Sequence, residues 1–179
     1  PDETSVPTFK AYLKDREDEV PYSVIYKDGR AATKRLRTLM ESSSFTHPKD
    51  EEVLRDLIQF AGSSDGTVLD FFAGSSSTAH ATMLANALDG GSRRFVMVQI
   101  PEPVAPNSTA AKAGFSDVAS ISKERIRRAG KSVADSCASP LDSGFRVFTI
   151  DDTNFSDISK QPDELAQERL LLEAESTKL

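Results

Sequence analysis

The residues best placed to do chemistry in this chain lie in one short run, Thr67-Val-Leu-Asp70-Phe71-Phe72-Ala73-Gly74-Ser75-Ser76-Ser77-Thr78-Ala-His80-Ala81. An apolar, β-branched start meets an acid, two aromatics and a Gly/Ser turn, and small residues follow. That order reads as a strand, a tight turn and a helix N-terminus, the arrangement with which α/β proteins build nucleotide sites. Gly74 can take positive φ and lets backbone approach a ligand. The amides from Ser75 through Ser76 to Thr78 open a helix and suit a carboxylate. Asp70, at the strand end, suits an ammonium group. Gly74 leads into Ser-Ser-Ser-Thr and not Gly-Lys-Thr, so the phosphate-loop lysine is missing. This pattern of charge fits a nucleoside with an amino-acid tail and not a triphosphate.

Other chemistries fit less well. A nucleophile elbow needs glycine where Thr78 stands, and no histidine follows His80 to complete a Ser–acid–His order. His47 and His80 have no Cys or carboxylate partners at ligand spacing, so no metal site is expected. His80, inside a small-residue helix, reads as a packed, hydrogen-bonded side chain. Cys137 is the one cysteine and has no histidine near it in sequence. A nucleophilic role and an intrachain disulfide are therefore not expected, and a reducing, cytoplasmic setting is.

The elements that must position the loop follow from periodicity. Pro48 and the acids Asp50, Glu51 and Glu52 open a helix whose Val53, Leu54, Leu57, Ile58 and Ala61 share one face. A strand is expected over 67–72, a helix over 76–88 and a near-continuous apolar strand over 95–100, of the kind covered on both faces in a parallel sheet. Val118, Ile121, Ile126, Ala129 and Val133 mark a further amphipathic helix, and 145–150 reads as a third strand. Val24 to Tyr26 suggests a short strand, 31–40 a short basic helix, and the leucines of 165–172 a helical tail. Strands alternating with helices of this length define an α/β chain with right-handed crossovers. A chain of 179 residues that is 38% hydrophobic suits one globular core. No apolar run is long enough to span a membrane. The net charge of −6 argues against a chain whose main task is wrapping DNA. Two basic clusters, Arg30/Lys34/Arg35/Arg37 and Lys123/Arg125/Arg127/Arg128/Lys131, read as solvated helix faces.

The run Asp-Phe-Phe-Ala-Gly-Ser-x-x-Thr-Ala-His-Ala, followed by Asp89-Gly-Gly-Ser-Arg-Arg-Phe-Val-Met-Val-Gln99-Ile-Pro-Glu102, resembles the modification subunits of type III restriction–modification systems. Those are S-adenosylmethionine-dependent DNA adenine-N6 methyltransferases. The likeness extends to Phe45-Thr-His-Pro-Lys49 ahead of the loop, to Ile121-Ser-Lys-Glu-Arg-Ile-Arg-Arg-Ala129, and to Ser143-Gly-Phe-Arg-Val-Phe148 with Asn154-Phe155. It covers residues 20–158 in the family's order. The implied fold is a partial Rossmann-like methyltransferase sheet, mostly parallel with flanking helices and incomplete at one edge. The implied domains are an irregular lead-in over 1–44 that ends a recognition region, a cofactor-binding domain over 45–158 and a helical tail over 159–179.

The resemblance also implies a site. S-adenosyl-L-methionine would be held by Lys49, Asp70, Phe71, Phe72, Ala73, Gly74, Ser75, Ser76 and Thr78. A ribose-binding residue is expected past the second strand, where position favours Gln99 and chemistry favours Glu102. Phe45 and Phe72 can wall the adenine or belong to the core. Implied partners are double-stranded DNA through the full-length protein, a restriction subunit and a second modification subunit. Two departures stand out. Ser76 replaces a family glycine, and the Pro-Pro catalytic motif is absent, since no Pro-Pro dipeptide occurs. With Pro1 at its start, the chain is expected to be a C-terminal fragment that binds cofactor but is inactive alone. The alternative is a degenerate, non-catalytic module of the same fold that makes subunit or DNA-backbone contacts.

Overall fold

Side-chain caps set where most of the helices begin. In the computed structural model, which describes residues 23–137 and 140–150, Asp28 accepts from the Arg30 amide and starts α1, Gly29–Met40. Asp50 accepts from the amides of Glu52 and Val53 and starts α2, Glu51–Ala61. After β1 (Thr67–Asp70), α3 (Ser77–Asp89) and β2 (Arg94–Met97) come the short α4, Thr109–Lys112, and the long α5, Val118–Ser136. Asp117 and Ser120 form a reciprocal capping box at the head of α5, satisfying two backbone donors at once. α3 differs from these. Its N-cap, Ser76, makes no side-chain capping bond.

β1 and β2 are parallel, with Thr67 opposite Arg94 and Asp70 opposite Met97, and α3 is the crossover between them. A side-chain amide reinforces this unit. Asn86, near the end of α3, donates to the Arg93 carbonyl at 2.8 Å and accepts from the Arg93 amide at 3.0 Å. α3 is nearly all small residues, so its buried Ala79, Ala81, Met83 and Ala85 let α2 and α5 pack against it along with the strands. α1 packs on α5, and Leu36, Met40, Ala110 and Ile121 form a core with Phe45, Val104 and Phe115 at its margin.

Several expectations need correction. β2 is covered on one face only. Phe95 and Met97 are half-buried, while Leu69, Val96 and Ile100 are exposed, because no described layer lies on the other side. β1 and β2 each end earlier than expected, at Asp70 and Met97. The apolar face of α2 is only half covered, since α2 packs chiefly on α3 and leaves Leu57 and Phe60 exposed. Residues 24–26 form no strand, and Val24 and Tyr26 are exposed. The chain divides into units meeting at Gly144 and Phe145. Of the second unit, 145–150 is described and is not a strand. Alternation alone does not make a strand, which needs a repeating ladder of paired backbone bonds. Within it Arg146 lies over the Phe148 ring at 5.8 Å. The expected tail helix at 165–172 and the resemblance at Asn154-Phe155 lie outside the described residues. No helix among the described residues is long and apolar enough to cross a membrane.

Candidate functional site

The strand end, the loop and the start of α3 are tied together by their own side chains. Asp70 accepts from the Phe72 amide at 3.0 Å through one carboxylate oxygen and from the Thr78 hydroxyl at 2.6 Å through the other. The turn closes with the Ser76 amide donating to the Ala73 carbonyl at 2.6 Å. Gly74 has φ +53°, and a Cβ there would stand 3.5 Å from the Phe45 ring. Its amide donates to the Gln99 side-chain oxygen at 2.7 Å, and the Gln99 amide nitrogen donates to the Ile100 carbonyl at 2.9 Å. Gln99 therefore clasps the loop from the end of β2.

Behind the loop lies a buried polar cluster. Ser76 is wholly buried in the left-handed region, φ 58° and ψ 42°, and its hydroxyl hydrogen-bonds with that of Ser122 on α5. Its side chain points into the protein and not to the accessible side of the loop. Arg125, also on α5 and fully buried, donates through one terminal nitrogen to the hydroxyls of Ser75 at 2.9 Å and Ser77 at 2.6 Å. Its other terminal nitrogen donates to Glu51 at 3.3 Å, and Glu51 also accepts from Arg35 at 2.5 Å. Burial lowers the Arg125 pKa to about 10 while Glu51 opposes the shift, so the guanidinium stays charged at neutral pH. His80 sits in the same cluster. Burial first, and Arg125 second, lower its pKa to about 4, and its Nδ1 has no hydrogen-bond partner. It is packed as expected, but at that nitrogen it is not hydrogen-bonded.

The predicted site residues separate into two groups. Asp70, Ala73, Gly74, Ser75, Ser76, Thr78 and Gln99 come together in the bonded loop. Phe71 and Phe72 project from it and are 64% and 88% exposed, so Phe72 is not core. Lys49, His47 and Glu102 are exposed, and Glu102 enters the local network through its backbone, its carbonyl accepting from the Val118 amide at 2.9 Å. Cys137 caps the C-terminal end of α5 and is half-buried. The sequence reading missed Arg125, Ser122 and Glu51. It grouped Arg125 with solvated bases, although Arg125 stands four residues from both Ile121 and Ala129, in phase with the buried stripe. Arg35 was misread in the same way and instead pairs with Asp50 and Glu51.

This strand, loop and helix lie within residues 7–102, which match the family model for N6/N4 methyltransferases, described as DNA methylase. The chain belongs to that family. It is similar to the Mod subunit of the type III restriction–modification enzyme EcoP15I of Escherichia coli, 38% identical over 151 residues, which covers 83% of this chain and 22% of the relative. The StyLTI Mod subunit of Salmonella typhimurium is 39% identical over 142 residues, 74% of this chain and 21% of the relative. The type II methyltransferase M.KpnI of Klebsiella pneumoniae is 35% identical over 95 residues, 53% of this chain and 23% of the relative. The chain thus spans about a fifth of the length of the curated relatives it matches.

Proposed function

We propose that this chain is the S-adenosylmethionine-binding part of a DNA adenine-N6 methyltransferase of the type III modification kind. The observation that carries the reading is the bonded loop, with Asp70 at the strand end, Gly74 at positive φ and the Gln99 clasp. The residues present fit the cofactor. Each Asp70 oxygen accepts one bond and keeps a lone pair for an ammonium group. The uncapped start of α3 suits a carboxylate. Phe71 and Phe72 offer exposed aromatic faces for an adenine. The Gln99 side chain is already committed to Gly74, which leaves the exposed carboxylate of Glu102 for the ribose hydroxyls.

In this reading Gly74, Thr78, Phe71 and Phe72 form the accessible side of the loop, and Lys49 contributes a cation from the start of α2. Ala73, Ser75 and Ser76 are buried and shape the loop from within. When bound, the cofactor supplies a sulfonium methyl group for transfer to the adenine amine. This chain's residues bind and orient it. They do not hold the acceptor base, because the Pro-Pro motif is absent. Strands from the rest of the full-length protein would extend the sheet beside β1 and β2, and a layer of its helices would cover Leu69, Val96 and Ile100, in keeping with a Rossmann-like sheet that is partial here. Partners of the whole protein would be double-stranded DNA, a restriction subunit and a second modification subunit, in the cytoplasm.

The degenerate-module reading rests on Ser76 and on the absent Pro-Pro motif; of these, the Ser76 side chain faces α5 and not the accessible side of the loop. Calorimetric titration with S-adenosylmethionine tests the proposal. Binding that Asp70→Ala weakens at least tenfold is expected, with no methyl transfer to DNA by this chain alone. A folded full-length protein that does not bind the cofactor would overturn it.

A further inference from the structure

The loop does not hold its shape through its own hydrogen bonds alone. Its three consecutive serines, Ser75, Ser76 and Ser77, are 3%, 0% and 4% exposed. Every one of their hydroxyls is taken by α5, from about fifty residues further along the chain. Arg125 supplies two of those bonds from a single nitrogen, and Glu51 orients its guanidinium from the first residue of α2. Glu51 is 2% exposed and is itself fixed by Arg35 on α1. A buried arginine with a planar fork fixes several acceptors in one geometry, which a lysine ammonium does not.

We infer that Arg125 is the positioning residue of the loop: held by Glu51, it fixes the Ser75 and Ser77 hydroxyls and with them the backbone between Gly74 and Thr78 that receives the ligand. It touches no ligand. It acts through the serines, and α1, α2 and α5 are thereby joined at the loop's inner face. The inference rests on the reading of this loop as the cofactor site, but its structural half can be tested without any ligand.

The test uses the full-length protein carrying Arg125→Lys or, where that variant folds poorly, the double change Ser75→Ala/Ser77→Ala, which removes the acceptors and leaves the Arg125–Glu51 pair intact. Amide hydrogen exchange is read without ligand, and S-adenosylmethionine affinity is read by calorimetry. The expected result is faster exchange confined to the Gly74–Thr78 segment. Cofactor affinity should fall about tenfold or more, the scale of lost hydrogen bonds to a charged donor. Adding Arg125→Lys to the double serine variant should cost little more. Unchanged loop exchange in the serine variant, or exchange that rises equally across α2, α3 and α5, overturns the inference. If the wild-type protein binds no cofactor, the functional reading fails, and loop exchange still decides the role of Arg125.

Discussion

Replacing Ser76 with glycine sets two opposed effects against each other at one residue. Ser76 holds a left-handed conformation, φ 58° and ψ 42°, that costs a non-glycine residue about 1 kcal/mol and costs glycine almost nothing. Its hydroxyl also bonds to Ser122 in a fully buried setting, a contact worth about 1 kcal/mol, and an orphaned partner there costs about 1–3 kcal/mol. Ser76→Gly gains the first term, loses the second and strands Ser122, so we expect a net loss of about 1 kcal/mol. Ser122→Ala leaves Ser76 both strained and unpartnered, and we expect a loss of about 2 kcal/mol. The double variant relieves the strain and leaves no orphan, so it should return to within about 0.5 kcal/mol of wild type. The cycle then gives a coupling of about 3 kcal/mol. Urea unfolding of all four proteins, with equal slopes as a check that the unfolded states match, measures it. Additivity within about 0.5 kcal/mol would refute the reasoning. So would Ser76→Gly alone stabilising by more than about 1 kcal/mol. Cofactor affinity adds a second check. Because the Ser76 side chain faces α5, affinity in Ser76→Gly should stay within about threefold of wild type, and a gain of about tenfold would mean that the hydroxymethyl group had obstructed the ligand.

Two further perturbations test other parts of the structure. The folded-state pKa of His80, about 4, lies below its ordinary 6.5, so as pH falls through this interval the unfolded chain takes up a proton that the folded chain refuses. Stability should drop by on the order of 3 kcal/mol between pH 6.5 and pH 4 and then level off, and His80→Gln should remove that component from a pH series of unfolding curves. Gly91 lies where an added Cβ would stand 2.6 Å from the Ser64 carbonyl and 2.7 Å from the Arg93 guanidinium. Gly91→Ala should therefore destabilise by about 1–3 kcal/mol in thermal unfolding. Cofactor affinity should be kept, because the clash lies at the opposite end of the strands from the loop.

The strand, loop and α3 were legible because each carries its own local signal: β-branched residues, one glycine at a turn, then a run of small residues. The long helices were legible from apolar spacing, and α2 also from the acids Asp50, Glu51 and Glu52 at its start, whereas the Asp117 cap of α5 came only with the structure. What escaped the sequence was anything that depends on which neighbour is present. The alternation of Phe145 to Ile150 reads the same whether or not a strand lies alongside. Arg125 reads as one base among several, and only its phase with Ile121 and Ala129 distinguishes it. Nothing in the sequence tells that the Gln99 oxygen is engaged by the Gly74 amide while the Glu102 side chain is exposed. Composition says how many charges there are and is silent on which ones are enclosed.

The Asn86 clamp has a consequence for the order in which the chain assembles. Its two bonds join residues seven positions apart, and with β1 paired to β2 they close the whole strand–helix–strand unit within residues 67–97. Local closure of this kind is fast, whereas contacts across long stretches of chain wait on loop-closure entropy. A ribosome delivers Ser75, Ser76 and Ser77 well before Ser122 and Arg125. The strand and helix flanking the loop can therefore be in place while its inner face is still bare, and the three serines acquire their partners last. Pulsed exchange during refolding should protect the amides of α3 ahead of those between Gly74 and Thr78. The site would then be the latest part of this unit to become specific, matured by a helix that arrives from outside it.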